Sequence, residues 1–562
     1  MKNIKWWEWS EEAFEESKKT GKPILLSISA VWCHWCHVMD KTTYSNERVV
    51  EYLNEYYIPI RVDNDRNPEI NSRYNMGGWP STVFLTYNRD VLAGATYIPP
   101  HQFINLLDRV YETWQKEKDV LVRQAEIERE KSIKKILDQN PVQINPKDIE
   151  IIRNWIIDEY DPDFGGFGYD QKFPVINVLE FILNNYKATG NWQDLEMVRT
   201  TVDNMINGEM FDSIEGGMFR YATRRDWTVP HYEKMLDDNA GIAYILLDLF
   251  QITKNDNYLI FAESVFRYIE TVLKHNSYPA YRGSQDADEE YFKADAQTRK
   301  EMSVPYIDTA VYTDSNALLA KAYIKKYSIT LEDSAIKKAG EILSFFNKLK
   351  RNEENCVCHY YEDNNPHNYG VLSDQVNLAY SNLLYYEATA DNEFLKTAES
   401  LLLSLDVSHS NGKGAYFDIS KSLAERKMLI RSSSPLQENA KLAIALLKLS
   451  DLKQGEYIEI VEKILSMIAP NYEQYGIFAA DYAQALLILN SLPMIATIIG
   501  KGNQEERGKL YKELSSISNI RLSFTYEFSE EKYKTRICVG TKCLAPVVSI
   551  EEISDEIKEL SN

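Results

Sequence analysis

The chain has 562 residues, more than one hydrophobic core usually organises, so we expect two or three domains. Its composition, 44% hydrophobic and 26% charged, is typical of a globular protein, and its apolar runs are shorter than the roughly 20 residues that cross a bilayer. With 84 acidic against 63 basic side chains the net charge is −21, which disfavours binding to nucleic acid or to an anionic membrane.

The first ten residues and the cysteines bear on the compartment. Residues 1–10 lack the apolar stretch and small-residue cleavage site of a secretory leader. The six cysteines form three close pairs, unlike the dense pattern of a secreted disulfide framework. We therefore expect a cytoplasmic protein with local thiol chemistry.

Residues 24–137 alternate between apolar strands and helices. Strand patterns cover 24–29, 58–62, 81–86 and 91–95, and helical patterns follow Cys36 and begin again near His101. The last two strands form a hairpin whose turn is 88–90. This β-α-β…β-β-α order predicts an α/β layer domain over residues 1–137, ending in a charged helix before a linker at 140–141.

Two cysteines with Cys-x-x-Cys spacing, Cys33 and Cys36, follow the first strand and open a helix, which is the context of a thioredoxin-like redox site. A thiol at a helix N-terminus lies near partial positive charge and unpaired N–H groups, so Cys33 is the expected nucleophile. Cys36, one turn later, is the expected resolving cysteine. His34 and His37, when protonated, would stabilise the thiolate and contact a ligand.

A second feature supports this fold. Residues 77–80, Gly-Gly-Trp-Pro, precede a strand, where thioredoxin-like folds place a cis-proline against the dithiol. Pro80 is the candidate cis-proline, and Trp79 is expected beside the ligand.

Three other interpretations of the dithiol stay open. Cys-x-x-Cys-His is also the pattern of c-type haem attachment. The cysteines and histidines of residues 33–37 are all potential zinc ligands. Two reduced cysteines can also serve only as packing among the neighbouring tryptophans.

Beyond the linker the apolar period becomes helical. Twelve amphipathic segments begin near residues 148, 177, 194, 239, 258, 314, 331, 374, 392, 436, 455 and 482. Every second segment, starting near Asn177, follows a long loop rich in glycine or aromatic residues, whereas its partner follows a short polar turn. The asymmetry predicts an (α/α)6 toroid over residues 144–492, with the long loops on one ligand-binding face. The helical pairs share no sequence repeat that can be aligned.

Residues 493–562 have mixed strand and helix patterns and predict a small C-terminal α/β segment that packs on the barrel. Cys538 and Cys543 are spaced for a hairpin disulfide or a second dithiol, and a reducing cytosol favours free thiols. Cys356 and Cys358 are expected to be reduced, since a bond across one residue is strained. The whole chain is thus predicted to be multidomain, α/β plus all-α.

Several motifs occur together along the chain. They are Cys33-His-Trp-Cys-His-Val-Met39, Gly77-Gly-Trp-Pro80, Val83-Phe-Leu-Thr86, Thr96-Tyr-Ile-Pro-Pro100, Gly165-Gly-Phe-Gly168, Lys172-Phe-Pro174, Gly216-Gly-Met-Phe-Arg-Tyr221, Trp227-Thr-Val-Pro-His-Tyr-Glu-Lys-Met-Leu236 and Asp286-Ala-Asp288. The combination resembles the spermatogenesis-associated protein 20-like, thioredoxin-domain-containing family. The resemblance implies a thioredoxin-like domain followed by a barrel similar to six-hairpin glycosidases and sugar epimerases, without specifying a reaction.

The segment before the second inner helix offers acid–base chemistry. His231 and Glu233 are candidate catalytic residues, and Asp286 is a candidate second carboxyl group. Glycosidases place two carboxyl groups across a sugar bond, and general acid–base steps frequently use histidine. Asp314 and Asp374 are further carboxyl candidates.

A sugar would need polar and aromatic contacts at this rim. The candidate ligand-binding residues are Phe173, Trp227, Tyr232, Asp238 and Asp288, with Phe219 as a further stacking candidate. The alternative for Asp238, Asp314 and Asp374 is helix N-capping, which contributes about 0.5–2 kcal/mol to stability.

The sequence therefore favours a two-site protein: a thiol–disulfide oxidoreductase module fused to a carbohydrate-processing or carbohydrate-binding barrel. The barrel, if an enzyme, would be a sugar hydrolase or epimerase. No cofactor or metal is expected. The expected partners are a disulfide-containing protein or small thiol and a carbohydrate, not nucleic acid or a membrane. The alternative is a non-catalytic protein that recognises a glycan or a partner, with the thioredoxin-like domain as scaffold.

Overall fold

The computed structural model describes residues 3–431, 433–453, 455–549 and 556. The chain forms two compact units, Met1–Gln139 with Lys421–Ser433, and Asn140–Ser420 with Ser434–Asn562. Most of the end of the predicted C-terminal segment, 550–555 and 557–562, lies outside the described residues. Within the described part of the chain, no helix combines the length and apolarity needed to span a bilayer.

The first unit is an α/β layer fold. Its elements up to residue 137 are α1 (Glu11–Thr20), β1 (Ile24–Ser29), α2 (His34–Thr42), α3 (Glu47–Tyr56), β2 (Ile58–Asp63), α4 (Pro68–Tyr74), β3 (Ser81–Leu85), β4 (Val91–Ala95) and α5 (Pro100–Leu137). The strand order is β2-β1-β3-β4, with β1 parallel to β2 and antiparallel to β3. Strand β1 is buried almost throughout and lies inside the sheet, between β2 and β3. The predicted α/β architecture is confirmed.

The segment Lys421–Ser433 corrects the predicted limits of the barrel, 144–492, because it clusters with the first unit. Two hydrogen bonds hold it there. The indole Nε1 of Trp9 donates to the carbonyl oxygen of Lys427 at 2.9 Å, and Lys427 Nζ donates to Asn67 Oδ1 at 2.7 Å. Such contacts join positions hundreds of residues apart, so no local sequence pattern announces them.

The second unit is dominated by helices. They are α6 (Lys147–Glu159), α7 (Ile176–Thr189), α8 (Trp192–Asn207), α9 (Leu236–Thr253), α10 (Asp256–Tyr268), α11 (Glu289–Lys293), α12 (Ala296–Arg299), α13 (Thr313–Thr330), α14 (Asp333–Lys348), α15 (Leu372–Thr389), α16 (Asn392–Ser408), α17 (Lys421–Arg426, in the segment that joins the first unit), α18 (Leu436–Leu452), α19 (Ile458–Ile468) and α20 (Ala480–Asn490), with a π-helix at Ile269–Leu273 and a 3-10 helix at Ala469–Ala479. Short strands lie in the loops: β5 (Tyr221–Ala222), β6 (Pro230–His231), β7 (Lys234–Met235), β8 (Ser284–Gln285), β9 (Val311–Tyr312), β10 (Cys358–Glu362) and β11 (Asn365–Tyr369).

Six of these helices form a closed ring. In order around it α7 packs on α9, α9 on α13, α13 on α15, α15 on α18, α18 on α20, and α20 again on α7. Each has an outer partner: α8, α10, α14, α16, α19 and α6 respectively. The first outer helix, α6, pairs with the last inner helix, α20, so the chain closes the ring on itself. All twelve predicted helices are present, and the predicted (α/α)6 toroid is confirmed.

The same amide contact recurs at four inner helices. The fourth residue of α9, α13, α15 and α18 is Asn239, Asn316, Gln375 or Asn439 respectively. Each amide accepts a hydrogen bond from one loop residue's N–H and donates to that residue's carbonyl oxygen. We call these four side chains the amide clamps; they fix the loops at the face where the inner helices begin.

The C-terminal segment is a small α/β layer, as predicted. It contains β12 (Met494–Ile499), α21 (Gln504–Ser515), β13 (Leu522–Glu527), β14 (Lys534–Val539) and β15 (Lys542–Cys543), with strand order β13-β12-β14-β15. Its apolar side chains, Ile498 and Phe524 among them, join the toroid's core.

The cysteines outside the first unit differ from each other in state. Cys538 and Cys543 form a disulfide, which corrects the expectation of free thiols. The two residues face each other across β14 and β15, with their Cα atoms 4.0 Å apart. Cys356 and Cys358 are not joined in a disulfide, as predicted, but both are buried rather than solvated.

Candidate functional sites

The dithiol lies at the start of α2. Cys33 and Cys36 are joined in a disulfide, with Cα atoms 5.2 Å apart. Cys33 is the N-cap of α2, and its Sγ accepts a hydrogen bond from the Cys36 N–H at 3.1 Å. Cys33 is 4% exposed and Cys36 is 3% exposed. The Cys33 sulfur therefore lies at the helix N-terminus, where the electrostatic potential is positive.

The predicted neighbours of the dithiol gather around it in the first unit. The Trp79–Pro80 peptide bond is cis, in agreement with the expectation for Pro80. The ring of Trp79 meets Trp32, which precedes Cys33, edge to face at 5.5 Å. Each indole is fixed by a donor bond, Trp32 Nε1 to Asp65 Oδ2 at 2.6 Å and Trp79 Nε1 to Asn71 Oδ1 at 3.1 Å.

The two histidines of the motif have different surroundings. The Nε2 atom of His37 lies 3.0 Å from the carbonyl oxygen of Val31, which holds that ring beside the strand end. His34 lies against Trp35, 5.9 Å between ring centres. Trp35 is 47% exposed, so the motif presents an apolar ring to solvent.

The toroid holds a cavity of about 220 Å³ where the inner helices begin. Its walls include Asp237, Asp238, Tyr244, Tyr380 and Asp481; we call it the acidic cavity. Because α9 begins at Leu236, the two neighbouring aspartates lie in its first turn, where unpaired N–H groups favour negative charge. Two lysines, Lys321 and Lys441, and Glu180 complete the charged lining.

Protein surrounds these carboxyl groups and shifts their titration. Burial raises the pKa of Asp237, and the charge of Asp314 raises it further. Burial and then the charge of Asp237 raise the pKa of Asp238. Burial also raises the pKa of Asp481, although Lys441 opposes the shift. Asp238, whose pKa is raised to about 7, can donate a hydrogen bond when protonated and accept when ionised, and the raised pKa of Asp237 and Asp481 acts in the same direction.

Beside the acidic cavity, His359 and Asp374 form a buried pair. The Nδ1 atom of His359 lies 2.9 Å from Asp374 Oδ2, and the Asp314 N–H donates to Asp374 Oδ1 at 3.2 Å. One carboxylate oxygen each of Asp314 and Asp374 and one ring nitrogen of His359, atoms of the kind that bind metal ions, lie within 4.8 Å of one another. Sequence reasoning missed His359, since a histidine in an edge-strand pattern gives no sign that a helix 15 residues later will place a carboxylate beside it.

His231 and Glu233 lie outside the acidic cavity. Among the described residues neither appears in its wall, and neither does Asp286. His231 stacks on Tyr221 at 4.4 Å, and Tyr221 stacks on the exposed Phe173 at 4.5 Å. The Nδ1 atom of His231 is 3.7 Å from Glu233 Oε1. Glu233 is 2% exposed, and its Oε2 has no hydrogen-bond partner in the part of the chain that the structure describes.

Three other residues predicted to bind a ligand instead pack in the core or cap a helix. Trp227 is fully buried, and its Nε1 donates to Phe164 O at 2.8 Å, so it cannot stack on a sugar in this structure. Asp288 is the N-cap of α11 and accepts from Tyr291 N at 2.9 Å. Tyr232 packs against the buried Phe219 and against Phe292.

The predicted capping role is wrong for three aspartates. Asp238, Asp314 and Asp374 stand at the second or third position of their helices, whose N-caps are Met235, Tyr312 and Val371. These helices begin at Leu236, Thr313 and Leu372, one to three residues before the starts that the sequence pattern indicated. These carboxyl groups are therefore available for contacts with the cavity or with His359.

Comparisons with known proteins match this architecture. Residues 1–133 match the family Thioredox_DsbH, described as "Protein of unknown function, DUF255". Spermatogenesis-associated protein 20 of Homo sapiens is 31% identical over 311 residues, which are 51% of this chain and 39% of the human protein. The match thus spans about two fifths of that relative's length. The thiol:disulfide interchange protein DsbD of Campylobacter jejuni is 26% identical over 101 residues, 17% of this chain and 18% of DsbD.

A solved structure, cellobiose 2-epimerase from Bacillus thermoamylovorans, aligns with a TM-score of 0.49 and 10% sequence identity, covering 61% of this chain and 98% of the epimerase. The assignment of the toroid fold is based on the closed ring of helices described above. The sequence matches confirm the resemblance inferred from the motifs. The chain is therefore similar to spermatogenesis-associated protein 20 over about half of its own length, and its first 133 residues match the DsbH-type thioredoxin family model.

Proposed function

We propose that the N-terminal domain is a thiol–disulfide oxidoreductase with Cys33 as nucleophile and Cys36 as resolving cysteine. The observation that carries the proposal is the placement of the Cys33 sulfur at the N-cap of α2, where it accepts the Cys36 N–H. In the reduced protein, the partial positive charge of the helix terminus would stabilise a thiolate at this position.

In the proposed reaction, the reduced Cys33 thiolate attacks a substrate disulfide. A mixed disulfide forms, and one substrate sulfur leaves as a thiolate. Cys36 then attacks the Cys33 sulfur, releasing the second substrate thiolate and forming the Cys33–Cys36 disulfide. An external dithiol or two monothiols must return the two electrons for the next turnover.

The low exposure of both cysteines, 4% for Cys33 and 3% for Cys36, favours a narrow substrate. A small disulfide or an extended peptide segment can approach a buried sulfur, whereas the flat surface of a folded protein cannot. Haem attachment or zinc binding would each require both sulfurs to be bonded to another group rather than to each other.

The test is equilibration of the full chain with defined ratios of reduced to oxidised glutathione, followed by thiol trapping and mass spectrometry. Wild type should titrate as one two-electron couple at Cys33–Cys36. Cys36→Ser should accumulate glutathione on Cys33, and Cys33→Ser should accumulate much less. Cys356→Ser, at a buried thiol in the toroid, is the control and should behave as wild type. A dithiol that stays in one state across all ratios would leave only a packing role.

A second proposal concerns the toroid: the acidic cavity binds a carbohydrate. The observation in its favour is a pocket of about 220 Å³ that combines carboxyl groups of raised pKa with the aromatic rings of Tyr244 and Tyr380. Sugar hydroxyls need donors and acceptors together, and ring faces need apolar contact. The carboxyl groups would act as general acid and base if the bound sugar reacts.

A panel of sugars, measured by calorimetry against wild type, Asp238→Asn and His231→Ala, locates the site. Asp238 lines the acidic cavity and His231 does not, so binding should weaken at least about tenfold in Asp238→Asn and persist in His231→Ala. If binding instead persists in Asp238→Asn and weakens in His231→Ala, the sugar binds at the Phe173–Tyr221–His231 stack. Binding without turnover would favour the alternative of a recognition protein.

A further inference from the structure

A second cavity lies where the inner helices end. Its volume is about 420 Å³, and residues of α21 and β13, including Ser515 and Phe524, form part of its wall. Four lysines line it, Lys187, Lys321, Lys325 and Lys448; we call it the lysine chamber. They come from α7, α13 and α18; Lys321, in the middle of α13, also lines the acidic cavity, and the other three do not.

The acidic partners of these lysines are fewer than the lysines. Lys187 and Lys325 both bind Asp248, which lies behind the wall. Lys321 pairs with Glu180 at 2.6 Å, and Lys448 pairs with Glu387 at 3.1 Å. Among the described residues the lysine chamber thus has one ammonium group in excess, within a chain whose net charge is −21.

An excess buried cation is unfavourable unless an anion compensates it. The pKa of Lys325 reflects this excess of positive charge. Burial lowers its pKa, Asp248 opposes the shift, and the nearby charges of Lys187 and Lys321 lower the pKa further. An anion in the lysine chamber would stabilise all three ammonium groups at once, since each would gain an opposite charge.

An unpartnered amide adds a second observation. Gln484 lines both the lysine chamber and the acidic cavity and is only 8% exposed. Among the described residues its Oε1 atom has no hydrogen-bond partner. Buried amides are ordinarily satisfied, and an amide oxygen accepts, so this atom is placed to meet a hydroxyl donor, such as the P–OH of hydrogen phosphate or a hydroxyl of an organic phosphate.

We propose that the lysine chamber is a binding site for a small phosphate-bearing anion. Several lysines around a sheltered space favour a compact anion of two negative charges, and lysine ammonium groups bind phosphate as point charges. The lysine chamber shares Glu180, Lys321 and Gln484 with the acidic cavity, whereas Lys187, Lys325 and Lys448 line the lysine chamber alone. Anion binding by these lysines does not require the acidic cavity to bind a carbohydrate or the dithiol to be redox-active.

The test is titration of the full chain with inorganic phosphate and, separately, with glucose 6-phosphate, followed by calorimetry. Both probes carry the same group, so both should bind wild type; tighter binding of the sugar phosphate would identify an organic phosphate as the source. Lys325→Met and Lys187→Met should each weaken binding at least about tenfold. Either variant leaves Asp248 one ammonium partner, so the buried carboxylate is not stranded.

Lys326→Met is the matched control. Lys326 neighbours Lys325 on α13 but binds Glu263 and Glu332 at 2.8 and 2.9 Å and does not line the lysine chamber. It should bind phosphate as wild type does. Absence of binding to wild type at millimolar phosphate overturns the proposal, and so does equal affinity in the chamber variants and in Lys326→Met. If either Lys325→Met or Lys187→Met does not fold, the phosphate affinity of the other variant tests the proposal.

Discussion

At the scale of single residues, the most informative group is the carboxyl of Asp374. It is fully buried, and burial raises its pKa to about 7, although the adjacent His359 opposes the shift. The unfolded chain would titrate this group near 3.9. Between these two values the folded state holds a proton that the unfolded state has lost, so the group's contribution to stability falls as pH rises from about 4 to about 7.

Asp374→Asn should remove that dependence. An amide keeps a hydrogen-bonding group beside His359 but does not ionise. The difference in free energy of unfolding, variant minus wild type, should therefore increase from pH 4 to pH 7, with a slope of at most about 1.4 kcal/mol per pH unit. Denaturant unfolding at several pH values measures it.

Asp295→Asn is the control for this slope. Asp295 caps α12 at the surface, and hydrogen bonds from Thr298 lower its pKa, so its titration falls below the range tested. Asparagine is an equally good cap, so the variant should track wild type from pH 4 to pH 7. A constant difference between Asp374→Asn and wild type would contradict the assignment.

Single residues were the hardest level to predict from sequence. The dithiol and Pro80 were found because their chemistry depends on local context: a strand, a helix start and a tight turn. Trp227 and Asp288 were not placed correctly, since an indole or carboxylate has the same sequence signal in a pocket, a core or a cap. Only the tertiary structure decides which, and the buried His359–Asp374 pair arises in the same way.

At the scale of elements, the amide clamps explain how the toroid's loops keep their places. Asn316 is fully buried at the fourth position of α13. It accepts from Tyr281 N at 2.8 Å and donates to Tyr281 O and Tyr312 O at 2.9 and 2.8 Å. One side chain thus ties the incoming loop to the helix start. The repeat escaped sequence alignment because it consists of one amide per hairpin among unrelated neighbours.

Asn316→Ala should destabilise the toroid by about 2–4 kcal/mol, because it leaves three buried backbone groups short of a partner. Asn257→Ala, at an exposed position of α10, removes the same group from a helix surface and should stay within about 0.5 kcal/mol of wild type. Urea unfolding followed by far-ultraviolet circular dichroism compares the two. Equal stabilities would mean that water replaces the clamp without cost.

The elements themselves were predictable to a greater degree than their contacts. The strand β1 and the twelve toroid helices follow directly from apolar periodicity, since one buried face imposes a regular spacing. The starts of five of the six inner helices were placed one to three residues too late, and the start of α18 at Leu436 was placed correctly. That shift decided whether Asp238 was interpreted as a cap or as part of a cavity wall.

At the scale of the whole molecule, the first unit is not one continuous stretch of the sequence. The first unit contains residues from both Met1–Gln139 and Lys421–Ser433. Each unit has its own apolar core: Phe84 and Leu107 belong to one, and Leu246 and Leu446 to the other. Separate cores predict separate unfolding events, for which a single two-state free energy does not apply.

Trp9→Phe tests whether the segment Lys421–Ser433 is energetically part of the first unit. Phenylalanine keeps a ring against Phe14 and Tyr74 but loses the donor bond to Lys427 O. Net loss of one hydrogen bond costs about 0.5–1.5 kcal/mol, so amide exchange should accelerate in two peptides far apart in sequence, β1 and Lys421–Ser433. Hydrogen–deuterium exchange with mass spectrometry reads both in the same sample.

The toroid should be unaffected by Trp9→Phe, and α15 peptides should exchange as in wild type. Trp192→Phe, at an indole 57% exposed at the start of α8, is the matched control and should change neither peptide. If exchange rises in β1 but not in Lys421–Ser433, the segment is stabilised by its covalent ends in the second unit. If both rise together, two stretches of chain separated by most of the toroid unfold as one cooperative unit, as expected when local stability follows packing rather than sequence order.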